Sequence, residues 1–169
     1  MKEIQLSQGK VALVDDEDYE WLNKHKWSAT KCRNTFYAVR HIRLPNGKQR
    51  TIQMHRVILG LESGDKRQGD HRYNNGLDNR RDKLRICTCS QNHQNGNSHR
   101  GGSSAFKGVS WRKDSHKWRS YIQVERCRIN LGLFTSEVEA AKVYDQAARK
   151  YFGRFANLNF PEGRQACAS

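Results

Sequence analysis

A run without any aliphatic or aromatic side chain interrupts this chain from Gln91 to Ser104. The Gly and Ser residues at its end are typical of a flexible linker. Neither of the two parts on its sides is large, and a core of roughly 60 residues is viable but marginal. The sequence therefore predicts two small units, 1–99 and 105–161, with a linker at 100–104 and a tail at 162–169.

The charge of the chain limits its binding partners. Lys and Arg number 31 against 17 acidic residues, which gives a formal net charge of +14. Such an excess favours polyanions such as nucleic acid, although ribosomal proteins and membrane-surface binders share it. No stretch approaches the roughly 18 apolar residues of a membrane span, and the first residues lack a signal-peptide pattern. We expect a cytoplasmic protein that binds nucleic acid.

The five cysteines include no Cys-x-x-Cys pair. An odd number in this arrangement predicts neither a disulfide framework nor a structural zinc site. Free thiols are expected at Cys32, Cys87, Cys89, Cys127 and Cys167.

The segment after the linker predicts a three-stranded antiparallel sheet packed on one helix. Ser136 and Glu139 have the spacing of a capping box, and helical periodicity then continues to Gly153. Strands are expected at Val109–Arg112, Trp118–Val124 and Arg128–Phe134. Alternation assigns to the helix-facing side Val109, Trp111, Trp118, Ile122 and Val124.

The opposite face of this sheet is polar. It collects guanidinium, amide and phenol groups, which belong to Ser110, Arg112, Arg119, Tyr121, Gln123, Arg128 and Asn130. Such a face is either simply solvated or suited to a DNA groove, because guanidinium forks bind guanine, amides bind adenine and positive charge binds phosphates. Three arginines and two amides on one small sheet favour the groove.

Spaced motifs occur in order over residues 105–161, namely Phe106–Arg112, Lys117–Arg119, Leu131–Phe134, Glu139–Ala148 and Asn159–Pro161. Together they resemble the apetala/ethylene-response-factor DNA-binding domain. In that family the sheet enters the major groove, so the resemblance implies double-stranded DNA as partner. It implies contacts through Lys107, Arg112, Arg119, Tyr121, Gln123, Arg128 and Asn130. The family's target sequence is not implied, because strand residues that set it are not kept here, Ser110 being an example.

The N-terminal part predicts a mixed α and β structure. Strands are expected at Lys10–Val14, Phe36–Arg43 and Thr51–Met54, the last two joined by a turn at Pro45–Gly47. Helices are expected at Asp15–Lys24, capped by Asp15, and at His55–Leu61.

Asp70, His71 and Asn92 lie where a strand, a polar loop and a helix follow one another. Thr88 and Gln91 form a capping-box pattern that places Asn92 in the first helical turn. Carboxylate and amide oxygens suit Mg²⁺ or Mn²⁺, and an imidazole suits proton removal from water near neutral pH. Taken singly, the same residues are also compatible with an ordinary Asp-His turn and an Asn helix cap.

Further motifs surround these residues, namely Met54–Leu61, Asp70-His71, Leu77–Arg81, Leu84-Arg85 and Ser90–Asn92. They resemble HNH homing endonucleases of phages and mobile introns, and the resemblance spans roughly residues 4–95. The resemblance implies a ββα-metal (His-Me finger) fold with His71 as general base. It also implies Asp70 and Asn92 as ligands of one Mg²⁺ or Mn²⁺ ion, and the host cytoplasm as location if the gene is carried by a phage.

The chain departs from that family at Lys83, where an asparagine usually braces the loop of the catalytic histidine. Either Asn79 takes this role, or Lys83 contacts the scissile phosphate. His93 is a second candidate ligand, although adjacent helical residues point about 100° apart. His55 is expected to support the core or to contact phosphate.

The sequence as a whole predicts an α+β protein that is a site-directed, homing-type DNA endonuclease. Its C-terminal sheet is expected to provide most of the recognition of the target site. The alternative is a non-catalytic, sequence-specific DNA-binding regulator with a decayed nuclease half. An RNA-binding protein would fit the charge but gives no reason for a groove-reading sheet. No obligate protein partner is implied.

Overall fold

The computed structural model describes residues 1–32, 35–96, 102–125 and 127–161. The chain divides into two compact units, Met1–Asn92 and His93–Ser169, called here the N-terminal and C-terminal units. The predicted tail at 162–169 and the first two residues of the predicted linker at 100–104 lie outside the described residues.

Small antiparallel sheets and short helices build the N-terminal unit. Its elements are β1 (Lys2–Gln5), β2 (Val11–Val14), α1 (Asp16–Leu22), β3 (Ser28–Cys32), β4 (Thr35–Arg43), β5 (Gln49–Gln53), α2 (Met54–Ile58), β6 (Gln68–His71), β7 (Leu84–Cys87) and the first part of α3 (Cys89–Asn95). The last three residues of α3 belong to the C-terminal unit. β1 pairs with β2, β4 lies between β3 and β5, and β6 pairs with β7. One core joins these sheets, with Ile4, Val14, Leu22, Trp27, Met54, Ile58 and Leu84 among its buried side chains.

Helix α1 begins after Asp15, but the Asp15 side chain does not cap it. Its carboxylate instead accepts a hydrogen bond from the backbone N–H of Arg81 at 2.8 Å. The Arg81 guanidinium donates to both oxygens of the buried Asp18 carboxylate at 2.8 and 2.7 Å. These contacts anchor the loop between β6 and β7 against α1, and that loop follows His71 directly.

The C-terminal unit is the predicted sheet packed on one helix. Its elements are β8 (Val109–Arg112), β9 (Lys117–Val124), β10 (Cys127–Phe134) and α4 (Glu137–Phe152). The strands are antiparallel in the order β10-β9-β8, and α4 packs on this sheet. Ser136 caps α4 by accepting from the Glu139 N–H, and Gly153 ends the helix with φ of 51°. Both signals of the helix are therefore confirmed.

Strand β10 contains a β-bulge that the sequence pattern did not reveal. Asn130 lies opposite Tyr121, but Gly132 already lies opposite Ser120, so Leu131 is the extra residue. Ile129, before the bulge, and Leu131, within it, pack into the core, and so does Phe134 after it. The spacing of core-facing residues thus changes from two to three.

Trp111 differs from its expected position. It was predicted to meet the helix, but it is 36% exposed and packs its ring at 5.0 Å from that of Trp118. Val109, in the same strand β8, is buried against Ala140 and Ala141 of the helix, so the difference concerns Trp111 alone.

A buried carboxylate closes the C-terminal unit. Asp145, on α4, accepts hydrogen bonds from the backbone N–H groups of Asn159 and Phe160, both at 2.8 Å. The Asn159 amide also bonds to the backbone N–H and C=O of Lys107, at 2.7 and 3.1 Å. The segment before β8 and the segment after α4 are therefore held together.

Gly108 permits a close approach of backbone and ring. Its φ is +75°, and an added Cβ would lie 2.0 Å from Cδ2 of Tyr144 and 2.7 Å from the carbonyl oxygen of Tyr121. Gly47 has a similar φ of +78° with open space around the same position. We expect Gly47→Ala to cost about 1 kcal/mol from backbone strain alone, and Gly108→Ala to cost at least about 2 kcal/mol more. Urea unfolding of both variants tests this, and equal losses would show that the ring gives way.

Two further expectations concern the whole chain. The described cysteines Cys32, Cys87, Cys89 and Cys127 are free thiols, as predicted, and Cys167 lies outside the described residues. Within the ranges described above, no helix is long and apolar enough to cross a membrane.

Candidate functional site

The polar face predicted for the C-terminal sheet forms a single surface. Its members meet across the strands in register, with Ser110 opposite Arg119, Tyr121 opposite Asn130 and Gln123 opposite Arg128. Helix α4 covers the other side of the sheet, where Ile122 and Tyr144 pack together. Helix α4 therefore does not cover the polar face, on which Gln123, Arg128 and Asn130 are exposed.

Two arginines of the polar face stack on one tyrosine. The guanidinium carbons of Arg119 and Arg128 lie 5.1 and 4.7 Å from the ring centroid of Tyr121. Arg119 also donates from Nη2 to the Ser110 hydroxyl at 3.4 Å, and its buried Nε has no partner among the described atoms. Cation–π contacts restrict both guanidinium groups, so less conformational entropy is lost when they bind a ligand.

Two other residues predicted to contact DNA have partners within the unit. Arg112 forms an exposed ion pair with Asp114, and this pair must open before Arg112 contacts anything else. Lys107 points its ammonium group at the carbonyl oxygens of Gln94 and Gly96, at 2.6 and 2.5 Å. Burial lowers the pKa of Lys107 to about 8. Lys107 therefore does not join the polar face.

In the N-terminal unit, most of the predicted catalytic residues line one cleft. This cleft has a volume of about 330 Å³. It is lined by Cys32, Tyr37, Gln53, His55, Arg56, Gln68, Gly69, Asp70, His71, Asn74 and Asn92. The structure thus brings together the predicted base, both predicted ligands and His55.

The β6–β7 hairpin presents Asp70 and His71 at its end. Antiparallel register places Asp70 opposite Arg85 and His71 opposite Leu84. Arg85 contacts Oδ2 of Asp70 through both Nε and Nη2 at 2.7 Å, and both side chains are buried. No role was predicted for Arg85 from the sequence, although it belongs to the Leu84-Arg85 motif. The pairing fixes the direction of the Asp70 carboxylate.

Helix α3 brings Asn92 to the same cleft. Its start is the predicted capping box, in which the Gln91 N–H donates to the Thr88 hydroxyl at 3.2 Å and the Thr88 N–H to the Gln91 side chain at 2.9 Å. The Asn92 amide nitrogen donates to Oε1 of Gln68 at 2.7 Å. This bond orients the amide, and Gln68 is a second positioning residue that sequence reasoning missed.

Asn79 orients the imidazole of His71. Its Oδ1 lies 3.4 Å from Nε2 of His71, while its Nδ2 donates to the carbonyl oxygen of Leu77 at 3.2 Å. Because the amide nitrogen is used in this way, Oδ1 is the acceptor of this contact, and the Nε2–H of a neutral His71 ring is its donor. Burial lowers the pKa of His71, although the Asn79 bond and nearby carboxylates oppose this effect. The neutral form therefore dominates at neutral pH.

The other residues predicted as supporting lie apart from the cleft lining. Lys83 pairs with Asp82 at 2.5 Å and places its ammonium group 5.6 Å from the ring centroid of Tyr73. His93 is exposed on α3. Asn79 contacts the His71 ring, and the contact of Lys83 with a scissile phosphate stays a prediction.

His55 is part of a buried aromatic cluster beside the candidate base. Its ring centroid lies 4.8 Å from that of His71 and 5.7 Å from that of Tyr37. An added Cβ at Gly69 would lie 2.6 Å from the His55 ring, so this glycine admits the imidazole. Burial, with the charges of His71 and Arg56, lowers the pKa of His55 to about 3.

This low pKa predicts a loss of stability in acid. Between pH 6.5 and 3 the unfolded chain binds a proton at His55 that the folded chain does not, so the free energy of unfolding falls as pH falls. From pH 7 to 5 this single group should cost about 2 kcal/mol. Denaturant midpoints at both pH values should show a smaller loss for His55→Gln than for His41→Gln, a control at an exposed histidine. Identical losses in the two variants would contradict the assignment.

The cleft offers oxygen donors to a metal ion, but the described residues contain no cluster of three or more His, Cys, Asp and Glu side chains arranged to hold one. The available donors are the Asp70 carboxylate and the Asn92 amide. These are hard oxygen ligands, and Mg²⁺ is commonly held by one or two protein groups with waters and phosphate oxygens. The chemistry of these two groups fits such an ion. Arg85 already contacts Oδ2 of Asp70, so an ion would share this carboxylate with the Arg85 guanidinium group.

Known proteins resemble part of this chain. About 60 residues are similar to plant AP2/ERF proteins. Ethylene-responsive transcription factor ERF024 of Arabidopsis thaliana is 47% identical over 58 residues, which are 33% of this chain and 32% of that protein. APETALA2-like protein 2 of Oryza sativa subsp. japonica is 44% identical over 61 residues, 35% of this chain and 14% of that protein.

A third relative is Dehydration-responsive element-binding protein 2D of Arabidopsis thaliana, 44% identical over 62 residues, 36% of this chain and 30% of that protein. The chain thus spans less than a third of the length of these relatives. No family model matches the chain, and no solved structure matches it. The AP2/ERF resemblance is confirmed over this part, and the HNH resemblance stays a prediction.

Proposed function

We propose that this chain binds double-stranded DNA in a sequence-specific manner through the polar face of its C-terminal sheet. The observation that carries the proposal is the stack of Arg119 and Arg128 on Tyr121, which holds two guanidinium groups together on the polar face. Guanidinium forks bind the major-groove edge of guanine. The names of two relatives, a transcription factor and an element-binding protein, support the same function.

Binding by the full chain tests this proposal. A labelled duplex library is incubated with the protein in chelator, and bound sequences are recovered over several rounds. We expect one enriched motif, competition by duplex DNA but not by structured RNA, and an affinity that falls linearly with salt on logarithmic axes. Equal competition by RNA with no enriched motif would reduce the polar face to a general basic surface.

A second candidate function, metal-dependent cutting of the bound DNA, is favoured by the cleft of the N-terminal unit. There Asp70, His71 and Asn92 line one cavity, which supports this candidate, and in it Asn79 takes the bracing role that Lys83 does not take. The non-catalytic regulator remains its rival, because the fused DNA-binding unit would serve either protein.

In this second candidate function, each residue of the cleft has a separate role in the hydrolysis of a phosphodiester bond. Asp70 and Asn92 would hold one Mg²⁺ or Mn²⁺ ion, whose chemistry is the relief of charge on the leaving oxygen. In this proposal His71 accepts the proton of the attacking water, and Asn79 holds the ring through its contact at Nε2. Arg85 keeps the Asp70 carboxylate in place through its two contacts.

Supercoiled plasmid carrying the selected motif separates the two candidates. The full chain is incubated with it in Mg²⁺, in Mn²⁺ and in chelator. Nicked or linear product that requires metal supports the endonuclease, and a single catalytic centre predicts nicks first. Plasmid that is bound but intact in both metals would leave the regulator.

A further inference from the structure

We propose that Leu133 reads the methyl group of a thymine that neighbours the base contacted by Arg119. The inference rests on the proposed DNA binding and names a specificity determinant within it. Leu133 was assigned no role by the motifs, and strict alternation along β10 would give it no place on the polar face.

The β-bulge of β10 gives Leu133 that place. Up to Asn130 the exposed side chains alternate with core-facing ones, and Asn130 lies opposite Tyr121. The extra residue Leu131 then shifts the phase, so that Leu133 lies opposite Arg119. Leu133 is 42% exposed, while the next residue, Phe134, packs into the core.

The surroundings of Leu133 are charged and polar. Its cross-strand partner Arg119 stacks on Tyr121 and carries a buried Nε without a partner among the described atoms. An apolar side chain beside such a group has the chemistry of major-groove readout, in which the thymine methyl and the acceptors of guanine lie on the same groove edge. RNA lacks this methyl group, so the chemistry selects duplex DNA.

Distances on the sheet determine which base Leu133 reaches. Directly opposed residues have Cβ atoms about 5 Å apart, and stacked base pairs are about 3.4 Å apart along the axis. Leu133 therefore reaches the same base step as Arg119. The expected site contains a thymine next to a guanine, with both bases read by one cross-strand pair.

A substitution that removes only the methyl group gives the decisive test. The motif is first selected with the full chain in chelator, and each thymine is then replaced singly by deoxyuridine. One replacement next to a guanine should weaken binding about fourfold, since one buried methyl contributes about 0.8 kcal/mol. The other replacements should have little effect.

Two variants assign this effect to its residue. Leu133→Ser should bind the thymine and deoxyuridine duplexes equally, because the apolar contact is gone. Val138→Ser is the matched control, since Val138 is 44% exposed on α4 and lies away from the polar face. It should keep the full fourfold difference.

Several outcomes would overturn the inference. A motif without thymine beside guanine would do so, as would binding that is indifferent to every deoxyuridine, or a difference that persists in Leu133→Ser. In each of these cases the protein still selects a DNA motif, so the proposed function stands. A failure of DNA binding itself is seen earlier, in the selection, and would remove both.

Discussion

Metal-dependent cutting should fall by about 10²- to 10⁴-fold in His71→Ala, while DNA affinity stays nearly unchanged. The size of the effect follows from the position of His71 among the groups of the cleft. Its ring is buried, this burial lowers its pKa, and Asn79 contacts the ring at Nε2. Alanine removes the proton acceptor and leaves the oxygen donors of Asp70 and Asn92 in place.

The matched control for this variant is His41→Ala. His41 is an exposed histidine of the same unit, and its ring contacts the Thr51 hydroxyl at 3.1 Å. Initial rates of plasmid nicking are compared with binding measured in chelator. Undiminished cutting by His71→Ala would exclude His71 as the base. Loss of both binding and folding in that variant, seen by circular dichroism, would shift the test to His71→Gln.

Arg119→Ala should weaken binding to the selected motif by roughly 5- to 150-fold, the equivalent of about 1 to 3 kcal/mol. Arg119 lies at the centre of the polar face, stacked on Tyr121 and bonded to Ser110. Its guanidinium group is thereby held ready for a base edge. Loss of a base contact also relaxes sequence preference, so the motif selected by the variant should be broader at one position.

Lys142→Ala provides the comparison of charge alone. Lys142 is exposed on α4, and its removal changes the net charge by the same amount. We expect this variant to bind nearly as tightly as the parent and to select the same motif. If both variants weaken binding equally and for all sequences, Arg119 contributes general attraction to phosphate and no base recognition.

Much of the C-terminal unit could be predicted because its signals are local. The capping box at Ser136 and the alternation of the strands depend on neighbours in the chain, and both appear in the structure. The bulge at Leu131 was missed, since the extra residue is defined only by pairing with β9. The partners of Lys107 could not be predicted for a similar reason, because these carbonyl groups come from another segment.

The cleft shows the same division between local and distant information. The motif residues Asp70, His71 and Asn92 could be named from the sequence, and they line one cleft. Their positioning partners could not be named, since Arg85 meets Asp70 only through the register of β6 and β7. The contact between Asn79 and His71 depends on the folded loop, and the role of Lys83 at a phosphate stays a prediction.

The hydrogen bonds around Asn159 have a consequence for how such a unit is inherited. They bring the residue before Gly108 and the residues after α4 to one place, so the entry and exit of the module are neighbours. A module whose ends meet can be joined to a new host chain without stretching or rearranging either. The similarity of this chain to plant proteins covers about 60 residues and only part of each plant protein. A module that can be joined to different host chains is expected to give this pattern.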